Sequence, residues 1–125
     1  MSARVALAAV LGAAAVAAAG CGGGGGSDSI VLYNGQHLAL TRALISAFEK
    51  QTGISVRTRS SDGVVLAGLI LQEGNASPAD VFMTENSPEL MNLEERGKLA
   101  ELDPAIRRAV PARYSSPSGK WAGEL

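Results

Sequence analysis

A single histidine, His37, and a glutamate 48 residues further on, Glu85, would matter most chemically if the fold brings them together. An imidazole nitrogen and a carboxylate oxygen make a donor pair that suits several transition metals, and the pair alone does not choose among them. Each residue also has an ordinary explanation. A histidine just past a strand caps an element or decorates a surface, and a glutamate ahead of a helix is a solvated charge at its positive end. Two protein ligands are too few to hold a metal tightly. Enzyme chemistry has less to stand on: there is no HExxH, no Ser/His/Asp order, and no base, nucleophile and orienting group. The five glycines at positions 22–26 lack the flanking strand and helix that a phosphate-cradling loop needs.

The other residue with a chemical role is Cys21, the only cysteine, so no intrachain disulfide can form. Ahead of it, Arg4 supplies a short positive region, and residues 5–19 carry no charge and are almost all Ala, Val and Leu. That run is short for a membrane span of about 20 residues. It ends on Ala18-Ala19-Gly20-Cys21, which resembles a bacterial lipobox. Small residues before the cut let the chain enter the processing peptidase, and the thiol after it receives the diacylglycerol. An uncleaved anchor helix with an incidental cysteine is the plainer alternative, but the glycine run that follows at once is hard to place in a packed fold. It reads as a flexible tether. The division expected is therefore a signal peptide over residues 1–20, a lipidated Cys21 with a Gly-rich linker to residue 28, and one folded domain from 29 to 125. Removing residues 1–20 leaves ten basic and twelve acidic side chains, with no basic stripe, so nucleic acid is not a partner.

Strand and helix alternate along the rest of the chain. Residues 29–33 are a short apolar strand, ended by the turn signal Asn34-Gly35. Leu40, Leu44 and Phe48 then predict the buried stripe of a helix closed by Gly53. A second strand follows over 54–58, a polar loop over 60–63, a second helix over 64–73 and a third strand over 79–83. Ser87 is the expected N-cap of a third helix, with Pro88 and Glu89 in its first turn and Gly97 as its stop. Asp103-Pro104 opens a short fourth helix that ends before Pro111, and residues 120–125 look like the start of another strand. This order predicts an α/β fold with right-handed crossovers and a mostly parallel sheet. Ligands of such sheets sit beyond the carboxyl ends of the strands. Residues 34–37, 60–63 and 84–87 should therefore share one rim, with His37 and Glu85 on it.

Three segments also carry a family resemblance. Tyr33-Asn34-Gly35-Gln36-His37, the helix end Ala47-Phe48-Glu49-Lys50-Gln51-Thr52-Gly53-Ile54, and Ser77-Pro78-Ala79-Asp80-Val81-Phe82 followed by Glu85 resemble the ferric-iron-binding proteins of ABC importers. Gly119-Lys120-Trp121 is similar to a further segment of that family, and the likeness runs in order from 30 to 125. It implies the first lobe of a two-lobed type II periplasmic-binding-protein fold, truncated before the second lobe. Such proteins close on Fe(III) using a histidine and a glutamate from the first lobe and two adjacent tyrosines from the second. An anion, phosphate or carbonate, completes the shell.

On this resemblance His37 and Glu85 are metal ligands, and Asn86, at a helix start suited to anions, helps hold the anion. The tyrosine pair is missing: Tyr33 and Tyr114 stand alone, the first in a strand and the second in a polar connector. Phenolates suit the hard ferric ion, so without them metal binding should be weak. The implied role is capture of iron at the outer face of the cytoplasmic membrane and delivery to a permease and its ATPase. Two other readings stand beside it. One is a binding protein for another metal or an anionic or organic solute, held by Asn34, Ser60, Ser61 and Asn86. The other is a truncated, lipid-anchored lobe without transport function.

Overall fold

The structure is a computed structural model that describes residues 28–123. The expected signal peptide, Cys21 and the glycine run lie outside the described residues, as do Glu124 and Leu125.

Three parallel strands form the sheet in the order β2-β1-β3: β1 Ser29–Gly35, β2 Ser55–Ser60 and β3 Val81–Thr84. Parallel strands cannot be joined by a tight turn, so each connection crosses a face as a helix. Helix α1 (Leu38–Thr52) leads from β1 to β2, and α2 (Gly63–Glu73) leads from β2 past β1 to β3. Helix α3 (Ser87–Glu95) then packs beside α2, and the short α4 (Pro104–Ala109) follows it. The mostly parallel α/β architecture expected from the alternating pattern is the one observed.

Several boundaries and faces differ from the sequence reading, each for a local reason. Asn34-Gly35 is not a turn. It extends β1, where Asn34 pairs with Ser60 and Met83 and Gly35 with Thr84. Helix α1 buries Thr41 and half-buries Ile45, Phe48 and Glu49, whereas Leu40 and Leu44 face outward. The packed stripe is thus rotated by about one position, because Thr41 reaches the buried Asn34 and Glu49 accepts from the Val56 N–H at 2.8 Å. Asn86, not Ser87, is the N-cap of α3, and its side chain makes no capping bond. The expected C-terminal strand reduces to one antiparallel bridge, Ser115 to Ala122.

Other local signals hold. Gly53 closes α1 in the left-handed conformation, with φ of 74°, and donates to Glu49 O at 2.8 Å. Asp103 caps α4 by accepting from Ala105 N–H.

The core lies between the sheet and the α2/α3 layer. Gly63, Leu66, Ala67 and Ile70 form the buried stripe of α2 and meet Tyr33 of β1 and Leu93 of α3. Burying a leucine side chain contributes about 1.5–3 kcal/mol, so Leu66 and Leu93 are the main anchors of this layer. Tyr33 is core, as expected. Its hydroxyl donates to Glu73, 2.9 Å from Oε1 and 3.0 Å from Oε2. Burial raises its pKa first, the Glu73 carboxylate adds to that, and Arg59 opposes it. Buried in the core with its hydroxyl committed to Glu73, Tyr33 does not reach the rim.

A carboxylate ties the outgoing chain to α3. Glu94 accepts from Ser116 Oγ at 2.7 Å, from Ser118 Oγ, and from Trp121 Nε1 at 2.9 Å. The Ser118 hydroxyl, then that of Ser116, hold the Glu94 carboxyl below the usual carboxylate range; burial opposes this, and Trp121 and Lys120 add to the lowering.

Two stability predictions follow from this packing. Leu93→Ala should cost about 2–5 kcal/mol in urea unfolding, because the void lies between two helices that cannot both collapse into it. The second concerns Glu94. A depressed carboxylate pKa stabilises the fold fully above its unfolded value of about 4.3 and ceases to do so as pH falls through the lower folded value. Urea midpoints of the wild type and Glu94→Gln should accordingly differ at pH 7 and converge in acid.

Candidate metal-binding rim

At the carboxyl end of the sheet, β1 and β3 stop side by side. Gln36 and His37 continue from one, and Glu85 and Asn86 from the other. Glycines permit this closeness. A Cβ on Gly35 would lie 2.7 Å from Gly63 Cα, and one on Gly63 would collide with Thr84 Oγ1. The start of α2 therefore sits directly against both strand ends. All three long helices begin at this rim, so three positive dipole ends converge there. Asp62 caps α2 by accepting from Val64 N–H, but α1 and α3 have no side-chain cap. Their N–H groups remain open to an anion.

The expected pair forms: His37 Nδ1 lies 2.9 Å from Glu85 Oε1. Both side chains are accessible, at 78% and 42% exposure. Gln36 Oε1 is also 2.9 Å from Nδ1 and accepts from the His37 N–H at 2.8 Å. With Nδ1 turned to these oxygens, Nε2 has no hydrogen-bond partner among the described residues. Two acceptors at Nδ1 favour the tautomer that carries its proton there. Among the described residues no third His, Cys, Asp or Glu completes a ligand cluster. The pair by itself therefore offers two donors.

The hydrogen-bonding residues divide. Asn86, Ser60 and Ser61 are exposed at the rim. Asn86 lines, with Gln36 and Glu85, the mouth of a groove of about 680 Å³ that follows the free edge of β3 to Trp121. Asn34 behaves differently. It is 1% exposed, and both atoms of its amide are engaged within the chain. Its expected contact with a solute gives way to an internal role. Gln36 and Thr41, by contrast, escaped the sequence reading although both touch the histidine's backbone. Gln36 lies inside the quoted motif, which was the available signal; Thr41 offered none, being an unremarkable helical threonine. Glu89, read only as a helix-start charge, places its carboxylate beside Gly63, where Oε2 is buried without a partner.

Comparison with known proteins identifies the family and the fold. The bacterial extracellular solute-binding protein family matches residues 34–123. The Fe(3+)-binding periplasmic protein of Serratia marcescens is 42% identical over 94 residues, which are 75% of this chain and 28% of that one. The major ferric iron-binding protein of Neisseria gonorrhoeae is 45% identical over 73 residues, or 58% of this chain and 22% of that one. Iron-bound HitA from Pseudomonas aeruginosa superposes with a TM-score of 0.76 at 42% identity, covering 77% of this chain and 31% of its own. A Trichodesmium protein solved with iron and citrate gives 0.70 at 35% identity, covering 76% and 30%. The chain thus spans between a fifth and a third of the length of these proteins, matching one lobe of a periplasmic-binding-protein fold. With 90 residues matched from the end of β1 onward, this chain belongs to the bacterial extracellular solute-binding protein family.

Proposed function

We propose that this chain is the metal-gripping lobe of an exported solute-binding protein that captures Fe(III) and delivers it to the permease and ATPase of an ABC importer. The observation that carries this reading is the His37–Glu85 contact of 2.9 Å at the rim. Relatives named for ferric iron support the choice of metal. In this reading a ring nitrogen of His37 and a Glu85 oxygen bind the ion, which takes the place of their direct Nδ1–Oε1 hydrogen bond, and anionic oxygens from outside the described residues complete its shell, as a hard cation demands. A synergistic anion, phosphate or carbonate, sits against the uncapped start of α3 beside Asn86, with Ser60 and Ser61 within the same rim. Binding without bond-making needs no catalytic group, so the protein acts as a carrier and not as an enzyme. Lipidation at Cys21 after removal of residues 1–20 would hold it at the outer face of the cytoplasmic membrane, with residues 22–28 as tether.

An organic or oxyanion solute is the second reading. The exposed Asn86 beside an uncapped helix start favours it, since that arrangement suits a carboxylate as well as phosphate.

Two outcomes are expected. His37→Ala combined with Glu85→Ala should weaken Fe(III) binding at least about tenfold in a chelator-competition titration, the loss that even an outer-shell defect produces. Unchanged affinity would exclude these ligands, and a melting-temperature rise with an anion panel but none with iron would favour the second reading. Cys21→Ser should abolish incorporation of labelled fatty acid into the product; retained label would place the anchor elsewhere.

A further inference from the structure

His37 faces a problem of order. Its side chain is 78% exposed, so packing cannot hold it. It is also the N-cap of α1 without any side-chain capping bond. What fixes its backbone lies behind it. Asn34 and Thr41, 1% and 2% exposed, are two of the few polar side chains buried in the fold, and they face each other across the start of α1. Asn34 Oδ1 accepts from the Thr41 hydroxyl at 2.8 Å and from the Gln36 N–H at 3.1 Å. Its Nδ2 donates to the Gln36 carbonyl at 3.0 Å and reaches Ser60 Oγ at 3.4 Å. The Thr41 hydroxyl is 3.2 Å from the His37 carbonyl, which also accepts from Thr41 N–H at 3.1 Å.

Burying an amide and a hydroxyl costs free energy unless each is satisfied, and an apolar pair could fill the same space. The polar pair accomplishes one thing an apolar pair would not: Asn34 grips both the N–H and C=O of Gln36, while the Thr41 hydroxyl, beside the His37 carbonyl, orients the Asn34 amide. Gln36 in turn places its own side-chain oxygen on the His37 N–H and ring.

We propose that Asn34 and Thr41 are positioning residues, which fix the Gln36–His37 turn from inside the fold and so aim the His37 ring at Glu85. Supporting groups that orient a ligand histidine commonly act this way, one layer behind the donor. The consequence for a solute rests on the metal-binding reading above, whereas the ordering of the ring does not.

The lone histidine makes its ring a clean NMR probe in the full 125-residue chain. Thr41→Val keeps the side-chain shape and removes the hydroxyl; Thr41→Ser keeps the hydroxyl. In wild type and Thr41→Ser, the metal-free ring should show one set of signals with through-space contacts to Gln36 and Glu85. In Thr41→Val these contacts should vanish and the shifts should move toward those of a free histidine. Ring signals unchanged in Thr41→Val, or lost equally in Thr41→Ser, would overturn the proposal. If valine prevents folding, Thr41→Ala is read by the same criterion. A second arm uses gallium(III), a diamagnetic ion of ferric charge. Its affinity should fall roughly tenfold in Thr41→Val and not in Thr41→Ser; equal affinities in all three would overturn the link from turn to ligand. A wild type that does not respond to gallium would defeat the metal reading, while the ring signals would still decide the positioning.

Discussion

A parallel sheet must return its chain across one face after every strand, and here that constraint leaves β1 between β2 and β3 with both of its edges hydrogen-bonded. Much of the molecule depends on this central strand. Its alternating side chains serve both faces: Tyr33 enters the layer of α2 and α3, and the next residue, Asn34, enters the layer of α1. The two layers differ in kind. The first is closed by apolar contacts around Leu66 and Leu93, with one polar exit through the Tyr33 hydroxyl to Glu73. The second is closed next to β1 by a hydrogen-bonded pair, and the leucines of α1 remain outside it.

The placement of the rim chemistry follows from that strand as well. Since β1 and β3 are parallel neighbours, their exits lie together, and residues 48 positions apart in sequence meet at 2.9 Å. Small residues bring the third participant close, because a Cβ at Gly35 or Gly63 would push the start of α2 away. The result is a surface where three helix N-termini supply positive potential and an imidazole and a carboxylate meet. Such a surface suits an anion and a cation together, each lowering the cost of the other.

Two carboxylates at opposite ends of α3 play contrasting parts. Glu94 accepts three hydrogen bonds and secures the segment that leaves the lobe. Glu89, in the first turn of α3 beside the start of α2, keeps one buried oxygen without a partner. The same residue type is thus a clamp in one place and unpartnered in the other, and the donors within reach decide which.

The alternation of elements, the closing of α1 at Gly53 and the capping of α4 by Asp103 were legible in the sequence, because each depends on residues a few positions apart. The pairing of His37 with Glu85 was also within reach, since the βαβ order alone sends both to the carboxyl end of one sheet. Which face of α1 turns inward was not: hydrophobic spacing pointed to Leu40 and Leu44, and the fold chose Thr41 instead. Asn34 went the same way, from an apparent turn residue to a buried strand residue. In both cases the deciding fact is a hydrogen bond between the sheet and α1, whose worth comes from exclusion of water. Local pattern reports what a residue prefers beside its sequence neighbours. Only the packed structure shows which polar groups lose their water and must therefore find each other.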